Sequence, residues 1–151
     1  MGFDNGILYD EFHPEWSYKK EYKARFPMWH VKAYPGIWTH RSTVWYSQEI
    51  IKKLGREKFQ NYVNQWNYGN RDLSRNPGKN DGLTRSWLVS NLQISVMEQV
   101  DFLSKLLQNQ LHVSKEAHRH TQNILFSEEL SDAWEFYVKT GRAATIKRTG
   151  L

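Results

Sequence analysis

Ser42 carries a hydroxyl that could take part in chemistry, and it stands at the start of a stretch that is typical of a helix. It precedes a helix-forming run that carries Ile50, Ile51 and Leu54 and stops at Gly55. A serine hydroxyl accepts a hydrogen bond from a free N–H of the first helical turn, and glycine commonly ends a helix. The sequence therefore predicts a helix over residues 42–54 with Ser42 as its N-cap. Taken alone, this serine has the chemistry of an ordinary cap, so a catalytic role depends on other groups that converge on it.

Further short motifs follow this serine in chain order. Residues 42–44 read Ser-Thr-Val, residues 68–70 Tyr-Gly-Asn, residues 86–88 Ser-Trp-Leu with Ile-Ser at 94–95, and residues 139–141 Lys-Thr-Gly. This order and approximate spacing resemble the class D β-lactamases, the oxacillinase type of serine β-lactamase. The pattern of that family runs S-x-V, Y-G-N, W-L before an I-S helix start, and K-[ST]-G. Each triplet is weak by itself, whereas the ordered set is specific.

The resemblance covers residues 1–141 and implies a fold and a reaction. The implied fold class is α+β and predominantly helical: the helical subdomain of the serine β-lactamase or penicillin-binding transpeptidase-like fold, plus the K-T-G strand of its sheet. Residues 142–151 form an unmatched basic tail. The implied reaction is acylation of a serine by penicillin-like β-lactams, followed by hydrolysis of the acyl-enzyme. In the intact family a carboxylated lysine is the base, so carbon dioxide is implied for that lysine and no cofactor is expected for this chain.

The resemblance also assigns roles to individual residues. Ser42 is implied to relay protons to the leaving nitrogen, and Lys139 to supply positive charge to the bound drug; these are the candidate catalytic residues. The candidate substrate-binding residues are Val44, Trp87, Thr140 and Gly141.

Among these substrate-binding candidates, Val44 matches the apolar residue that crowds the carboxylated lysine. Trp87 matches the tryptophan whose indole donates to that carbamate, although a buried tryptophan that packs in the core is the usual alternative. Thr140 matches a hydroxyl that contacts the substrate carboxylate.

The nucleophile of the family lies in an S-x-x-K motif upstream of the residues that match 1–4. A serine needs an adjacent base to become a good nucleophile. Residues 17–20, Ser-Tyr-Lys-Lys, fit S-x-x-K on paper, but they are too close to Ser42 and lie in a charged segment after Pro14. A lysine exposed there would stay protonated and could not be carboxylated. We therefore expect this match to be a coincidence and the chain alone to be inactive.

After residue 141 the sequence departs from the family pattern, which continues with a glycine-rich turn and a tryptophan-bearing strand. We therefore expect one recognisable strand with exposed edges, and helices with an uncovered apolar face. An alternative from another class is a small, non-catalytic helical binding module. Its ligand face would be the aromatic segment over residues 16–38.

Composition narrows the classes of protein that remain. The 151 residues suit one domain, and 21 basic against 16 acidic residues give a formal charge of +5. Because the two signs are interleaved, we expect no nucleic-acid partner. Zero cysteines exclude disulfides and thiol catalysis, while the spacing of His118 and His120 on a helix argues against a shared metal ion. We expect no membrane span or export signal in this chain, although the intact family is periplasmic.

Periodicity and capping signals predict the remaining elements. Residues 10–40 read as a long aromatic connection broken by prolines, with room for one short helix. Helices are predicted over residues 56–66, from a capping box at Ser95, and over residues 115–125 after Ser114. A loop is predicted over residues 67–83 and a strand over residues 134–139.

Overall fold

The computed structural model describes residues 1–74, 82–89 and 91–139, and this part of the chain is mainly helical. In these described residues, six α-helices precede one two-stranded antiparallel sheet in which β1 pairs with β2. The elements are α1 (Pro35–Arg41), α2 (Val44–Leu54), α3 (Arg56–Gln65), α4 (Gly82–Val89), α5 (Val96–Leu107), α6 (Lys115–Leu125), β1 (Phe126–Glu129) and β2 (Glu135–Tyr137). The α+β, predominantly helical fold class is confirmed.

Helix α2 lies at the centre of the described fold because its apolar residues serve two core clusters. Trp45, Tyr46 and Ile50 are buried in the first cluster. Ile51 and Leu54 are buried in the second. The buried residues of α2 recur from its first turn to its last, so the helix packs along its whole length on a broad apolar face.

The aromatic segment over residues 16–38 packs inward on the first cluster. The contacting rings include Trp16, Tyr18, Tyr22, Trp29 and Trp38. The alternative of a binding module uses these rings as its ligand face, whereas in the structure they are partly buried against the first cluster. Helix α1 begins inside this segment. Pro35 occupies its first turn, where the fixed φ of proline suits a helix start.

The prediction that Ser42 is the N-cap of α2 is wrong by one residue. Ser42 is the left-handed C-cap of α1, with φ 51° and ψ 44°. Thr43 is the N-cap of α2, and its side chain makes no capping hydrogen bond. The physical reason is that α1 ends directly before α2, so one residue must reverse the chain by adopting the left-handed conformation that commonly ends helices.

The helices predicted over residues 56–66, from Ser95 and over residues 115–125 are confirmed, whereas α4 and β1 were not predicted. The helix predicted over residues 56–66 is α3, and Ser95 and Ser114 cap α5 and α6 with their hydroxyls. Helix α4 overlaps the end of the loop predicted over residues 67–83, of which residues 75–81 lie outside the described residues. The predicted strand is shorter, as β2, and it pairs with the unpredicted β1, so the expectation of a single strand is wrong.

Helix α5 carries the uncovered apolar face that the sequence predicts. Leu106 is buried, and Phe102 packs edge-on against Tyr68 at a centroid distance of 4.9 Å. The adjacent side of the helix exposes apolar side chains: Val96, Met97, Val100, Leu103 and Leu107. Within the described residues, no helix is both long enough and apolar enough to cross a membrane.

Candidate functional site

The turn between α1 and α2 and the segment after β2 bring the two candidate catalytic residues together. Lys139 Nζ donates a hydrogen bond of 2.5 Å to Ser42 Oγ, although the residues are 97 positions apart in sequence. Ser42 is held by the end of α1, and Lys139 follows the strand pair that continues from α6. The Val138 N–H donates to Leu125 O at 2.8 Å, which ties the segment carrying Lys139 back to the end of α6.

The environment of Lys139 changes the acidity of its amine. The residue as a whole is exposed, yet partial burial of the amine lowers its pKa below the ordinary lysine value. Desolvation disfavours the charged form of an amine, which accounts for the direction of this shift. The amine therefore releases a proton more readily than a lysine in water, while it remains in hydrogen-bonding contact with the Ser42 hydroxyl.

The remaining sequence candidates lie at different depths in the structure. Val44 is half-buried and begins α2, so it shares the turn with Ser42. Trp87 packs on the second core cluster, with its ring edge-on to Phe59 at a centroid distance of 5.9 Å. Thr140 and Gly141 lie outside the described residues.

Two buried hydroxyls next to motif residues were missed by the sequence analysis. Thr43 and Ser86 are fully buried, and neither side-chain oxygen has a hydrogen-bond partner within the described residues. An unsatisfied buried hydroxyl is costly, so such groups often mark a contact with another segment or a ligand. The available signal was position: Thr43 follows Ser42, and Ser86 precedes Trp87.

The S-x-x-K sequence at residues 17–20 does not form a catalytic pair. Ser17 and Lys20 are both exposed, and Lys20 only begins a single 3₁₀ turn, Lys20–Tyr22. Lys19 lies 3.8 Å from Glu21 in an exposed ion pair. This geometry leaves both lysines exposed to solvent and away from a buried site that could hold a carboxylated lysine. Among the described residues, no three metal-ligating side chains are grouped closely enough to hold an ion.

Comparison with known proteins gives consistent matches over nearly the whole chain. The family described as the penicillin binding protein transpeptidase domain matches residues 1–150. Beta-lactamase OXA-9 of Klebsiella pneumoniae is 37% identical over 142 residues, which are 93% of this chain and 52% of that protein. Beta-lactamase OXA-1 of Escherichia coli is 38% identical over 149 residues, which are 99% of this chain and 53% of that protein.

The fold is also similar to that of solved structures. The crystal structure of the class D β-lactamase OXA-427 superposes with a TM-score of 0.90 at 44% identity. The superposition covers 94% of this chain and 58% of that chain. A class D β-lactamase from Bacillus subtilis superposes with a TM-score of 0.81 at 28% identity, over 93% of this chain and 55% of the other. The chain thus spans about half the length of the curated relatives it matches.

Proposed function

Because the chain belongs to the penicillin-binding-protein transpeptidase domain family, and within it to the class D β-lactamases, we propose that it forms one part of a β-lactam-binding site. The substrate class is penicillin-like β-lactams, which carry a carboxylate beside the reactive ring. The observation that supports this proposal best is the 2.5 Å hydrogen bond between Lys139 Nζ and Ser42 Oγ.

The two side chains have complementary roles in this proposal. The Lys139 ammonium supplies the positive charge that attracts the substrate carboxylate, since charge preorganised in a partly dry site interacts strongly with a ligand of opposite sign. The Ser42 hydroxyl both accepts and donates hydrogen bonds, so it is able to pass a proton between Lys139 and the leaving nitrogen of the lactam. Thr140 and Gly141, which follow in sequence, are proposed to contact the same carboxylate.

Val44 and Trp87 are proposed to shape the apolar side of the site. Val44 is one residue beyond the N-cap of α2 and is half-buried, which suits a side chain that restricts water. Trp87 lies in α4, which packs against α2. Its proposed partner is the carboxylated lysine of the intact family. Carbon dioxide would supply the carboxyl group of that lysine.

We further propose that these 151 residues do not hydrolyse β-lactams on their own. Hydrolysis through an acyl-enzyme needs a serine with an adjacent base. The sequence contains one S-x-x-K match, at residues 17–20, and its serine and lysine are exposed on a loop. The purified chain should therefore leave a chromogenic cephalosporin intact at the uncatalysed rate, and a protein-dependent rate above background would contradict the proposal.

Binding is testable separately from turnover. Benzylpenicillin added to the isotopically labelled chain should shift the NMR signals of Ser42 and Lys139. Lys139→Met should weaken that binding because it removes the positive charge while keeping an unbranched side chain. Lys105→Met is the matched control, since Lys105 pairs with Asp101 on the surface of α5. Shifts that are absent, or equal losses in the two variants, would reject the assignment of the site.

A further inference from the structure

The backbone at Ser42 is in a conformation that serine rarely adopts. Its φ of 51° lies in the left-handed region, where a side chain with a Cβ is strained and glycine is favoured. The Ser42 N–H donates to Thr39 O at 3.4 Å and also to Trp38 O, which ties the end of α1 to this residue. Strained residues of this kind persist when their surroundings hold them in place. The direction of the Ser42 hydroxyl therefore depends on whatever fixes the peptide units beside it.

Trp29 makes two hydrogen bonds that fix the turn from both sides. Its indole Nε1 donates to Arg41 O at 2.9 Å, and Arg41 O belongs to the peptide unit directly before Ser42. The carbonyl oxygen of Trp29 accepts from Trp45 Nε1 at 2.8 Å. Trp45 lies in the first turn of α2 and is 2% exposed, so it is a fixed support. We call these two hydrogen bonds the Trp29 bridge.

We propose that Trp29 is a positioning residue for the site: the Trp29 bridge holds the turn between α1 and α2 so that Ser42 Oγ stays within hydrogen-bonding reach of Lys139 Nζ. The catalytic meaning of this role rests on the proposed function, whereas the bridge itself rests only on the distances above. Trp29 is half-buried. Both hydrogen bonds of the bridge end on a backbone carbonyl oxygen, that of Arg41 or that of Trp29 itself, so Trp29 acts on Ser42 through the backbone.

Other contacts near the turn do not duplicate the bridge. Trp38 Nε1 donates to Ser47 Oγ at 2.7 Å, which joins α1 to α2 through a side chain one helical turn beyond the N-cap. Thr43 N–H donates to Trp38 O at 3.1 Å, which closes the end of α1. Neither contact engages the Arg41 carbonyl. Loss of the Trp29 indole N–H should therefore leave the Arg41 carbonyl without this donor and loosen the peptide unit before Ser42, without separating the two helices.

Trp29→Phe tests the proposal because it keeps an aromatic ring and removes one donor. The readout is the titration of the Lys139 side chain, followed by NMR in the full chain with ¹³C-labelled lysine and assigned with Lys139→Arg. If the bridge positions Ser42, the Lys139 midpoint should rise toward the ordinary lysine value, as its amine becomes better solvated. An unchanged midpoint in folded Trp29→Phe protein would overturn the proposal.

Trp66→Phe is the matched control, since the buried Trp66 Nε1 has no hydrogen-bond partner within the described residues. This variant also removes an indole N–H, and it should leave the Lys139 midpoint unchanged. A shift equal to that of Trp29→Phe would show that loss of any tryptophan loosens the fold, and it would overturn the proposal. Ser42→Ala distinguishes failure of the Trp29 positioning role from failure of the proposed function. If Ser42→Ala does not alter the Lys139 titration, the Ser42 and Lys139 contact is absent and the proposed function fails with it.

Ser42→Gly supplies a second test that does not need the Lys139 signal. Glycine adopts a positive φ without strain, so the turn should no longer need the bridge. Trp29→Phe should then lower the melting temperature less in the Ser42→Gly background than in the original chain. Equal losses in the two backgrounds would mean that Trp29 contributes only packing, for example against Phe26, and would overturn the positioning role.

Discussion

At the scale of single residues, Glu11 joins the N-terminal segment to α6. Its Oε1 lies 3.0 Å from His120 Nδ1 and accepts a 2.5 Å hydrogen bond from Asn123 Nδ2. Burial by itself raises the pKa of the Glu11 carboxyl, but the hydrogen bonds from His120 and Asn123 outweigh it, so the net pKa is lowered. A lowered pKa in the folded state means that the charged form stabilises the fold above the unfolded-state pKa. This stabilisation is lost as pH falls through the folded-state pKa.

Glu11→Gln should therefore reduce the free energy of unfolding by about 1–2 kcal/mol near neutral pH, because hydrogen bonds to a charged group are replaced by neutral ones. The difference should shrink as pH falls through the lowered folded-state pKa of Glu11, where the carboxyl of the original protein itself becomes protonated. Urea unfolding of both proteins across that range measures it. Glu15→Gln is the control: Glu15 pairs with Lys32 at 3.0 Å on the surface, where ion pairs contribute little. An equal loss in both variants would contradict the argument.

At the scale of secondary-structure elements, α5 starts with a complete capping box. The Ser95 hydroxyl accepts from the Glu98 N–H at 3.3 Å, and the Glu98 carboxylate accepts from the Ser95 N–H at 2.8 Å. Ser95→Ala should cost about 1 kcal/mol of stability and should speed hydrogen exchange at the first-turn amides of α5. Ser104→Ala is the control within the same helix, since Ser104 is exposed and alanine favours helix interiors. Faster first-turn exchange in Ser104→Ala would count against the capping role.

The elements that the sequence predicts are those whose signals are local. Ser95 and Ser114 mark their helices because a cap and an apolar period agree within a few residues. Strand β1 reads Phe-Ser-Glu-Glu, which has neither alternation nor β-branched residues, so only its pairing with β2 makes it a strand. The left-handed turn at Ser42 likewise carries no glycine, and it depends on tertiary contacts such as the Trp29 bridge.

At the scale of the whole molecule, the candidate site is predictable only in part. Ser42 and Lys139 were identified through the order of family motifs. Helix and strand periodicity gives only local information, so it cannot show that residues 97 positions apart are in contact. The partners of indole N–H groups depend on packing, which explains why the Trp29 bridge could not be predicted. The buried hydroxyls of Thr43 and Ser86 were missed for the same reason. Motif order thus predicts which residues meet, and the fold determines what holds them.

The exposed apolar face of α5 should govern how the whole molecule behaves in solution. Val100 and Leu103 are 53% and 41% exposed on this face, and contiguous apolar surface promotes association. Val100→Lys combined with Leu103→Lys should lower the binding of a hydrophobic dye and reduce self-association in light scattering, with little change in melting temperature. Leu106→Lys in the same helix is the contrasting variant, because Leu106 is 7% exposed and a buried lysine should unfold the protein. If the double variant also unfolds, or if association persists unchanged, then this face is packed inside the molecule and the exposed surface lies elsewhere.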